Sequence, residues 1–241
     1  EMSASLVGSE MCIRDRSIGI AQSDDQMLEH IASLPNGGQN SLGSDWQAGD
    51  IMFKDVNNDG RIDSGAYTID DHGDLVVIGN TTPRFNYGID LTAEWKGVDF
   101  RLFLQGVGKR DYFQRSKYFF GSIGGSKWGT MVLKQHLDYY RDDPDHPLGL
   151  NKNSYYPRPY LDNGKNYQTQ TKYLQNAAYM RVKNLQIGYT LPSRITNLLG
   201  ISNFRLFVSG ENLLTFTKMK DLFDPETIGE NGEGNVLSLI H

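Results

Sequence analysis

One acidic stretch of the chain carries oxygen-bearing side chains at a spacing that suits a metal ion. The candidate ligands are Asp55, Asn57, Asp59, the carbonyl of Arg61, and Asp63. Calcium takes about six to eight oxygen ligands, and these residues match alternate positions of an EF-hand-like loop, with Gly60 at its sharp turn. The closing acid is replaced by Ala66, so bidentate closure comes from Asp70 or Asp71 or is absent. The stretch predicts a structural Ca²⁺ site; the alternative is an Asx-rich turn held by side-chain to backbone hydrogen bonds.

A second set of residues combines large apolar area with hydrogen-bonding groups. These residues are Trp128, Tyr139, Tyr140, Tyr155, Tyr156 and Tyr160. Such side chains stack on sugars or contact a protein partner. The alternative is that they pack their own loop against itself.

Catalytic chemistry finds no comparable support in the sequence. The four histidines within residues 17–236, namely His30, His72, His136 and His146, lack HExxH spacing, and there is no GxSxG or Walker motif. The acids Asp142, Asp143 and Asp145 lie in a charged stretch broken by proline, where a solvated turn is the default. We therefore predict no enzyme activity and no required cofactor.

Composition excludes further classes of function. Twenty-four Lys and Arg against 29 Asp and Glu give a net charge of −5, which argues against a nucleic-acid partner. No run of about 18 apolar residues is present, which excludes a transmembrane helix. Membrane strands need only about 9–11 residues of alternating character, so they stay possible at a mean hydropathy of −0.50.

The elements that must position these residues are mainly strands. Residues 84–105 alternate apolar and polar side chains in two strands joined by a tight turn at Lys96 and Gly97. Residues 185–191 and 204–209 form a second pair of alternating strands. Met180 and Val182 are even-numbered, whereas the apolar residues from Leu185 to Leu191 are odd-numbered, so the alternation changes phase and predicts a bulge near Asn184. A capping box at Ser23 predicts a short helix over 23–33, followed by a strand over 50–54 and a helix over 128–140.

The connections between the strands are unequal in length. The links at 96–97 and 193–203 are short, whereas residues 107–178 form a single long connection. Outer-membrane barrels have short periplasmic turns and long extracellular loops, with aromatic residues such as Phe85, Trp95 and Tyr189 at their strand ends. The pattern therefore favours an all-β fold of antiparallel strands from a truncated transmembrane β-barrel with short helices. A soluble β-sandwich alternates in the same way and stays open as an alternative.

Several segments resemble one family of barrels. Residues 49–60 (GDIMFKDVNNDG), 77–88 (VIGNTTPRFNYG) and 103–108 (FLQGVG) resemble conserved blocks of TonB-dependent outer-membrane receptors of the SusC/RagA family. Residues 156–159 (YPRP), 173–185, 188–192 (GYTLP) and 209–217 resemble its remaining blocks, in the same order. The chain thus looks like part of the C-terminal barrel of such a receptor.

The resemblance implies an outer-membrane active transporter. Members of the family import oligosaccharides or peptides together with a SusD-like surface lipoprotein, and the TonB complex acts through an N-terminal plug that this sequence does not show. Outer-membrane lipid would be a further partner, and the chain would be inactive in transport by itself. The alternative function is a secreted, calcium-stabilised glycan-binding β-sandwich module.

Both ends of the chain look foreign to the protein. Residues 10–16 (EMCIRDR) resemble the translation of a sequencing adapter, and residues 237–241 (LSLIH) resemble that of its reverse complement. We therefore expect 1–16 and 237–241 to be artefacts and 17–236 to be the partial barrel. The single cysteine, Cys12, then lies in the foreign flank.

Overall fold

The computed structural model describes residues 11–114, 117–121, 132–160, 164–198, 200–219 and 223–228. Antiparallel strands dominate this part of the chain and short helices connect them, which confirms the predicted all-β class. Within the same ranges, no helix has both the length and the apolar character needed to cross a membrane.

The strands and helices are short in the first third of the chain and long near its end. The strands are β1 (Met11–Arg14), β2 (Ser17–Ile20), β3 (Ile51–Phe53), β4 (Val76–Asn80), β5 (Arg84–Trp95), β6 (Val98–Lys109), β7 (Asp111–Tyr112), β8 (Gln175–Asn176), β9 (Tyr179–Thr190) and β10 (Arg205–Thr217). The helices are α1 (Asp24–Ala32), α2 (Lys117–Phe120) and α3 (Ser193–Leu198), with 3-10 segments at Lys134–Leu137, Lys165–Tyr167 and Thr171–Tyr173.

The chain divides into two compact units. The loop unit comprises Glu1–Thr82, Asp111–Gln175 and Asp221–His241, and the sheet unit comprises Pro83–Arg110 and Asn176–Lys220. Most of the predicted long connection therefore folds with the first part of the chain instead of forming an isolated loop.

The sheet unit is one antiparallel sheet with the strand order β10-β9-β6-β5. Trp95 pairs with Val98, and both turn residues, Lys96 and Gly97, have positive φ angles of 49° and 88°. This is the geometry of a type I′ hairpin, which confirms the turn predicted at these residues. A Cβ at Gly97 would lie 2.7 Å from the carbonyl oxygen of Thr190, so glycine is also required by space.

Two register shifts lie where the sequence predicts a bulge. Phe103 pairs with Asn184 but Leu104 pairs with Val182, which leaves Lys183 as the extra residue of β9. A second shift in β10 lies between Glu211 and Leu214. The extra residue in β9 places Val182 and Met180 on the apolar face. The bulge predicted near Asn184 is therefore confirmed, and it explains the change of phase in the sequence.

A glycine in β6 is covered by a tyrosine from β5. Tyr87 pairs with Gly106, and its hydroxyl donates a hydrogen bond to the Tyr179 carbonyl at 3.3 Å. A Cβ at Gly106 would clash with that carbonyl oxygen and would lie 2.5 Å from the tyrosine hydroxyl. The absence of a side chain at Gly106 therefore makes room for the ring of Tyr87, and this ring covers the glycine backbone.

The loop unit begins with two strand pairs and α1. Antiparallel β2 and β3 pair with each other, as do β1 and β4, although the assignment of β1 to a foreign flank stays a prediction. The side chain of Ser23 accepts the Gln26 backbone N–H at 3.2 Å, as the predicted N-cap requires. The Gln26 side chain accepts the N–H of Gln22 at 2.7 Å, one residue earlier than the capping box predicts.

Aromatic rings fill the part of the loop unit that comes from the long connection. The rings of Phe119, Phe120, Tyr156 and Tyr173 pack edge to face or stacked with centroids 4.8–6.3 Å apart. The predicted helix over 128–140 is wrong in its described part, where only Lys134–Leu137 is helical, as a 3-10 segment. Beyond it Tyr139 bridges to Tyr156, so pairing with a distant segment replaces further helical turns.

Candidate functional site

The sheet unit carries one continuous apolar face. Rows of paired residues cross all four strands on this face. From the hairpin turn outward the rows are Trp95, Val98, Tyr189 and Leu206; Ala93, Phe100, Ile187 and Val208; Leu91, Leu102, Leu185 and Gly210; Ile89, Leu104, Val182 and Leu214; and Tyr87, Gly106, Met180 and Phe216.

This apolar face is open in the part of the chain that the structure describes. Ile89 and Leu91 in the edge strand β5 are 44% and 50% exposed. Ile187 lies in the central strand β9, with a neighbour on each side, and is still 51% exposed. Because even a central-strand residue is exposed, no described residue of the sheet unit forms a second layer over this face, unlike the covered inner face of a sandwich.

The aromatic residues of the face are concentrated in its two outer rows. Trp95 and Tyr189 lie in the row beside the hairpin turn, and Tyr87 and Phe216 lie in the opposite row. Mainly aliphatic side chains fill the three rows between them. Eight residue steps separate Tyr87 from Trp95, which is about 27 Å along the strand at about 3.4 Å per residue.

The opposite face of the sheet is polar and carries ion pairs between strands. The Arg101 guanidinium of β6 contacts the Asp90 carboxylate of β5 at 2.7 Å and 3.2 Å. Arg205 of β10 makes a similar two-bond contact with Asp99 of β6. Two-bond arginine–carboxylate contacts fix the orientation of both groups, and these pairs remain accessible to water. One face of the sheet therefore suits an apolar environment, and the other suits water.

The acidic loop predicted to bind calcium is closed by backbone hydrogen bonds. The two carboxylate oxygens of Asp55 accept the N–H groups of Asn58 at 2.6 Å and Gly60 at 2.9 Å. The side-chain oxygen of Asn57 accepts the Asp59 N–H at 3.0 Å. Gly60 has a φ of 80°, which agrees with its predicted position at the sharp turn.

Arg61 supplies the positive charge at the end of this loop. Its Nε lies 3.2 Å from the Asp59 carboxylate and 2.8 Å from that of Asp63. Slight desolvation acts to raise the pKa of Asp59, but hydrogen bonds from the Arg61 backbone and the Asn57 amide, together with the Arg61 charge, hold it below its usual value. In the described residues, no group of three or more His, Cys, Asp or Glu is placed to hold a metal ion. Calcium ligation by Asp55, Asn57, Asp59, Arg61 and Asp63 stays a prediction.

A buried charge cluster that sequence reasoning missed lies nearby in the loop unit. The Lys165 ammonium lies 2.6 Å from the Asp50 carboxylate, and both side chains are fully buried. Lys165 also donates to the carbonyls of Ser44 and Asp45 at 3.2 Å and 2.7 Å. The Asn166 amide donates to Asp50 at 2.8 Å. No local spacing could signal this cluster, because its members lie more than a hundred residues apart in sequence.

Two of the blocks identified in the sequence meet beside this cluster. Gly49 and Asp50 belong to the block 49–60, and Arg158 belongs to the block 156–159. The Arg158 N–H donates to the Gly49 carbonyl at 2.8 Å, and its guanidinium donates to Ala48 at 2.8 Å. Gly49 has a φ of 88°, and its surface is covered by the ring of Tyr140. The two blocks are therefore one packed structure.

The predicted aromatic loop residues have mixed positions. Tyr140 and Tyr156 are buried, at 2% and 5% exposure, whereas Tyr139, Tyr155 and Tyr160 are half-buried. Trp128 lies outside the described residues. The Tyr140 hydroxyl donates to the carbonyl of Gln22 at 2.9 Å, so this residue packs the loop unit internally.

Burial changes the acidity of these tyrosines. It raises the pKa of Tyr155 to about 12 and also raises the pKa of Tyr156, which has Tyr155 and Asp138 nearby. Burial likewise raises the pKa of Tyr160, whose hydroxyl accepts a hydrogen bond from Gln47 at 2.8 Å. The hydroxyl groups of these residues are therefore protonated at neutral pH and can act as hydrogen-bond donors.

Two of the predicted residues line one cleft. Tyr139 and Tyr156 border a cleft of about 230 Å³, together with His136, Pro157 and Pro159. The Nδ1 of His136 accepts the Leu133 N–H at 2.9 Å, so the proton of the neutral ring lies on Nε2, 3.0 Å from the Phe119 carbonyl. The lining is mainly apolar, and a ligand or partner role for Trp128, Tyr139, Tyr140, Tyr155, Tyr156 and Tyr160 stays a prediction.

An open sheet with one apolar face, one polar face and short turns at one end is the arrangement expected of a segment of a transmembrane β-barrel. Comparison with known proteins agrees with this class. The chain is 29% identical over 192 residues to "TonB-dependent receptor P3" of Formosa agariphila, and 26% identical to "TonB-dependent receptor P26" of the same organism. Each match covers 78% of the chain but only 16% and 17% of the relative, so the chain spans about a sixth of their length.

A solved structure shows the same fold. The chain aligns over 93% of its length with 20% of a chain in the "Structure of the RagAB peptide transporter", at a TM-score of 0.57 and 22% identity. No protein-family model matches the chain. These comparisons confirm the resemblance to TonB-dependent receptors of the SusC/RagA type.

Proposed function

We propose that this chain is a membrane-spanning part of an outer-membrane TonB-dependent active transporter. The observation that carries the proposal is the open apolar face of the sheet unit, bounded by aromatic rows. A strand segment of about 27 Å, tilted by about 40°, gives an apolar band roughly 20 Å tall, close to the roughly 25 Å of known outer-membrane barrels. Aromatic rings belong at the two edges of such a band, where lipid meets water.

The polar face supports a hydrated interior for the same barrel. Arg101 and Asp90 form an ion pair between the neighbouring strands β6 and β5, and Arg205 of β10 pairs across β9 with Asp99 of β6. All four side chains remain accessible to water. Exposed charges on a sheet face are stable only in contact with water, so this face belongs to the lumen. A sandwich would bury one of the two faces, and the described exposures therefore count against a secreted calcium-stabilised glycan-binding module.

For the whole protein we propose import of oligosaccharides or peptides. The relatives named as TonB-dependent receptors support energy coupling through the TonB complex, and the RagAB structure, named as a peptide transporter, supports peptides as one substrate class. A SusD-like lipoprotein is the proposed surface partner, and the cleft beside Tyr139 and Tyr156 is a candidate contact for it or for substrate. No part of this proposal requires catalysis or a cofactor.

A charge placed on either face tests the orientation in the membrane. In the full-length receptor, Leu91→Lys puts a charge at the middle row of the apolar face, where a cation facing lipid costs about 2–4 kcal/mol. Ser209→Lys is the matched control, since Ser209 lies within one residue of the same level on the polar face.

We expect Leu91→Lys to lower the amount of folded, heat-modifiable barrel in the outer membrane and Ser209→Lys to leave it unchanged. Equal amounts for both variants, or a receptor found in the soluble fraction, would overturn the proposal. Loss of uptake of a fluorescent oligopeptide or oligosaccharide in cells that lack TonB tests the energy source. Uptake that persists without TonB would contradict active transport.

A further inference from the structure

The turn between β9 and β10 exposes a cluster of apolar side chains. We define the α3 turn as residues 192–204. Ile195 and Leu198 lie three residues apart on one side of α3, and Leu198 is 87% exposed. Ile201 and Phe204 are also exposed. Four large apolar side chains within ten residues form a patch that water would not favour.

The α3 turn is held in a defined conformation. The Ile195 N–H donates to the Pro192 carbonyl at 2.9 Å, and the Ile201 N–H donates to the carbonyl of Thr196 at 3.0 Å. Thr196 itself is buried within the turn. The exposure of Ile195 and Leu198 is therefore imposed by the fold of the turn and does not arise from an unfolded loop.

The patch continues the apolar face of the sheet. The Leu191 N–H donates to the Phe204 carbonyl at 2.9 Å, one step beyond the pairing of Tyr189 with Leu206. Because residues two apart in a strand share a face, Leu191 and Phe204 extend the apolar face past its aromatic row. The α3 turn begins where this extension ends.

The charges at this end of the sheet suit an anionic surface. Residues 192–204 contain Arg194 and neither Asp nor Glu. Lys96, in the neighbouring hairpin turn, is exposed, and its ammonium lies 4.8 Å from the centroid of the Trp95 ring. Cationic side chains next to exposed apolar and aromatic ones are typical of segments that lie in a membrane interface.

We propose that the α3 turn is an interfacial foot that lies in the phospholipid leaflet on the periplasmic side of the outer membrane. The inference rests on the proposed function, because the short turns of such barrels face the periplasm. Ile195, Leu198, Ile201 and Phe204 enter the boundary between headgroups and acyl chains, and Arg194 and Lys96 contact phosphate groups. The foot fixes the height of the sheet in the bilayer at this end.

Spin labels at three positions test the proposal. The single cysteine of the chain is first removed by Cys12→Ser. One new cysteine is then introduced in each of three separate variants, Leu198→Cys, Asn197→Cys and Leu91→Cys, and labelled with a nitroxide. The full chain is reconstituted in vesicles of phosphatidylethanolamine and phosphatidylglycerol. Collision of each label with oxygen and with a water-soluble nickel complex reports its depth. Asn197 is the matched control, since it is exposed on the other side of α3.

We expect the Leu198 label to lie about 5–10 Å below the phosphates, as in other interfacial helices, and to collide with nickel several-fold less often than the Asn197 label. We expect the Leu91 label to lie deeper than both. A Leu198 label as accessible to nickel as the Asn197 label, with Leu91 in lipid, would refute the foot and leave the transporter standing. A Leu91 label in water would refute the proposed function itself.

Discussion

The buried pair of Lys165 and Asp50 makes a demanding prediction about the stability of the loop unit. The ammonium is bound by Asp50 and by the carbonyls of Ser44 and Asp45, and the carboxylate has further donors in Asn166 and the Gln47 N–H. Removal of one partner leaves the other charge buried with only neutral hydrogen-bonding groups. Such a loss costs about 3–5 kcal/mol.

We therefore expect Lys165→Met and Asp50→Asn each to lower the free energy of unfolding by about 3–5 kcal/mol. The double variant leaves no buried charge, so its loss should be smaller than the sum of the two single losses by about 0.5–3 kcal/mol. Asp142→Asn is the control. It breaks the pair with Arg158, which is partly exposed, and should cost about 0.2–1 kcal/mol.

Urea unfolding measures these values, followed by tryptophan fluorescence in a background in which Trp95 and Trp128 are changed to phenylalanine, so that Trp46 is the reporter. Trp46 is a suitable reporter because the Lys165 ammonium lies 5.0 Å from the centroid of its ring. If Asp50→Asn costs no more than Asp142→Asn, the pair is not held away from water and the reasoning fails. Strictly additive losses in the double variant would show that the two groups do not interact.

Three further predictions concern other parts of the chain. Gly106→Ala should lower the melting temperature of the detergent-solubilised chain by an amount equivalent to about 1–3 kcal/mol, because its Cβ would clash with Tyr87 and a backbone carbonyl. Gly88→Ala is the control and should not, because the nearest neighbour of its Cβ is the Phe103 side chain at 3.5 Å, an ordinary contact distance. Burial lowers the pKa of His30 in the folded chain, despite its hydrogen bond to Gln39. As the pH falls, the unfolded chain therefore binds a proton at this histidine before the folded chain does. The free energy of unfolding should thus fall as the pH drops below about 6.5, and His30→Gln should remove this loss. If the acidic loop binds calcium, titration should give a saturable rise in melting temperature that Asp59→Asn abolishes; no rise would leave the Asx turn as the explanation.

The sequence alone was sufficient for the sheet unit. Nearly unbroken alternation over residues 84–105 fixes which side chains share a face, because strand side chains alternate with a period of two. The Lys96–Gly97 turn and the parity change near Asn184 are equally local signals, and both are confirmed in the structure. The ordered blocks that resemble SusC/RagA receptors supplied the class of protein, since they reflect the whole fold and not one element.

Only the tertiary structure decided the roles of single residues in the loop unit. Asp55 and Asp50 look alike in sequence, yet one caps a surface loop through backbone N–H groups and the other is buried against Lys165. Tyr139 and Tyr140 are adjacent, but Tyr139 borders a cleft and Tyr140 is packed inside. Burial and ion pairing depend on which distant segments meet, and periodicity within a short window contains no information about such contacts.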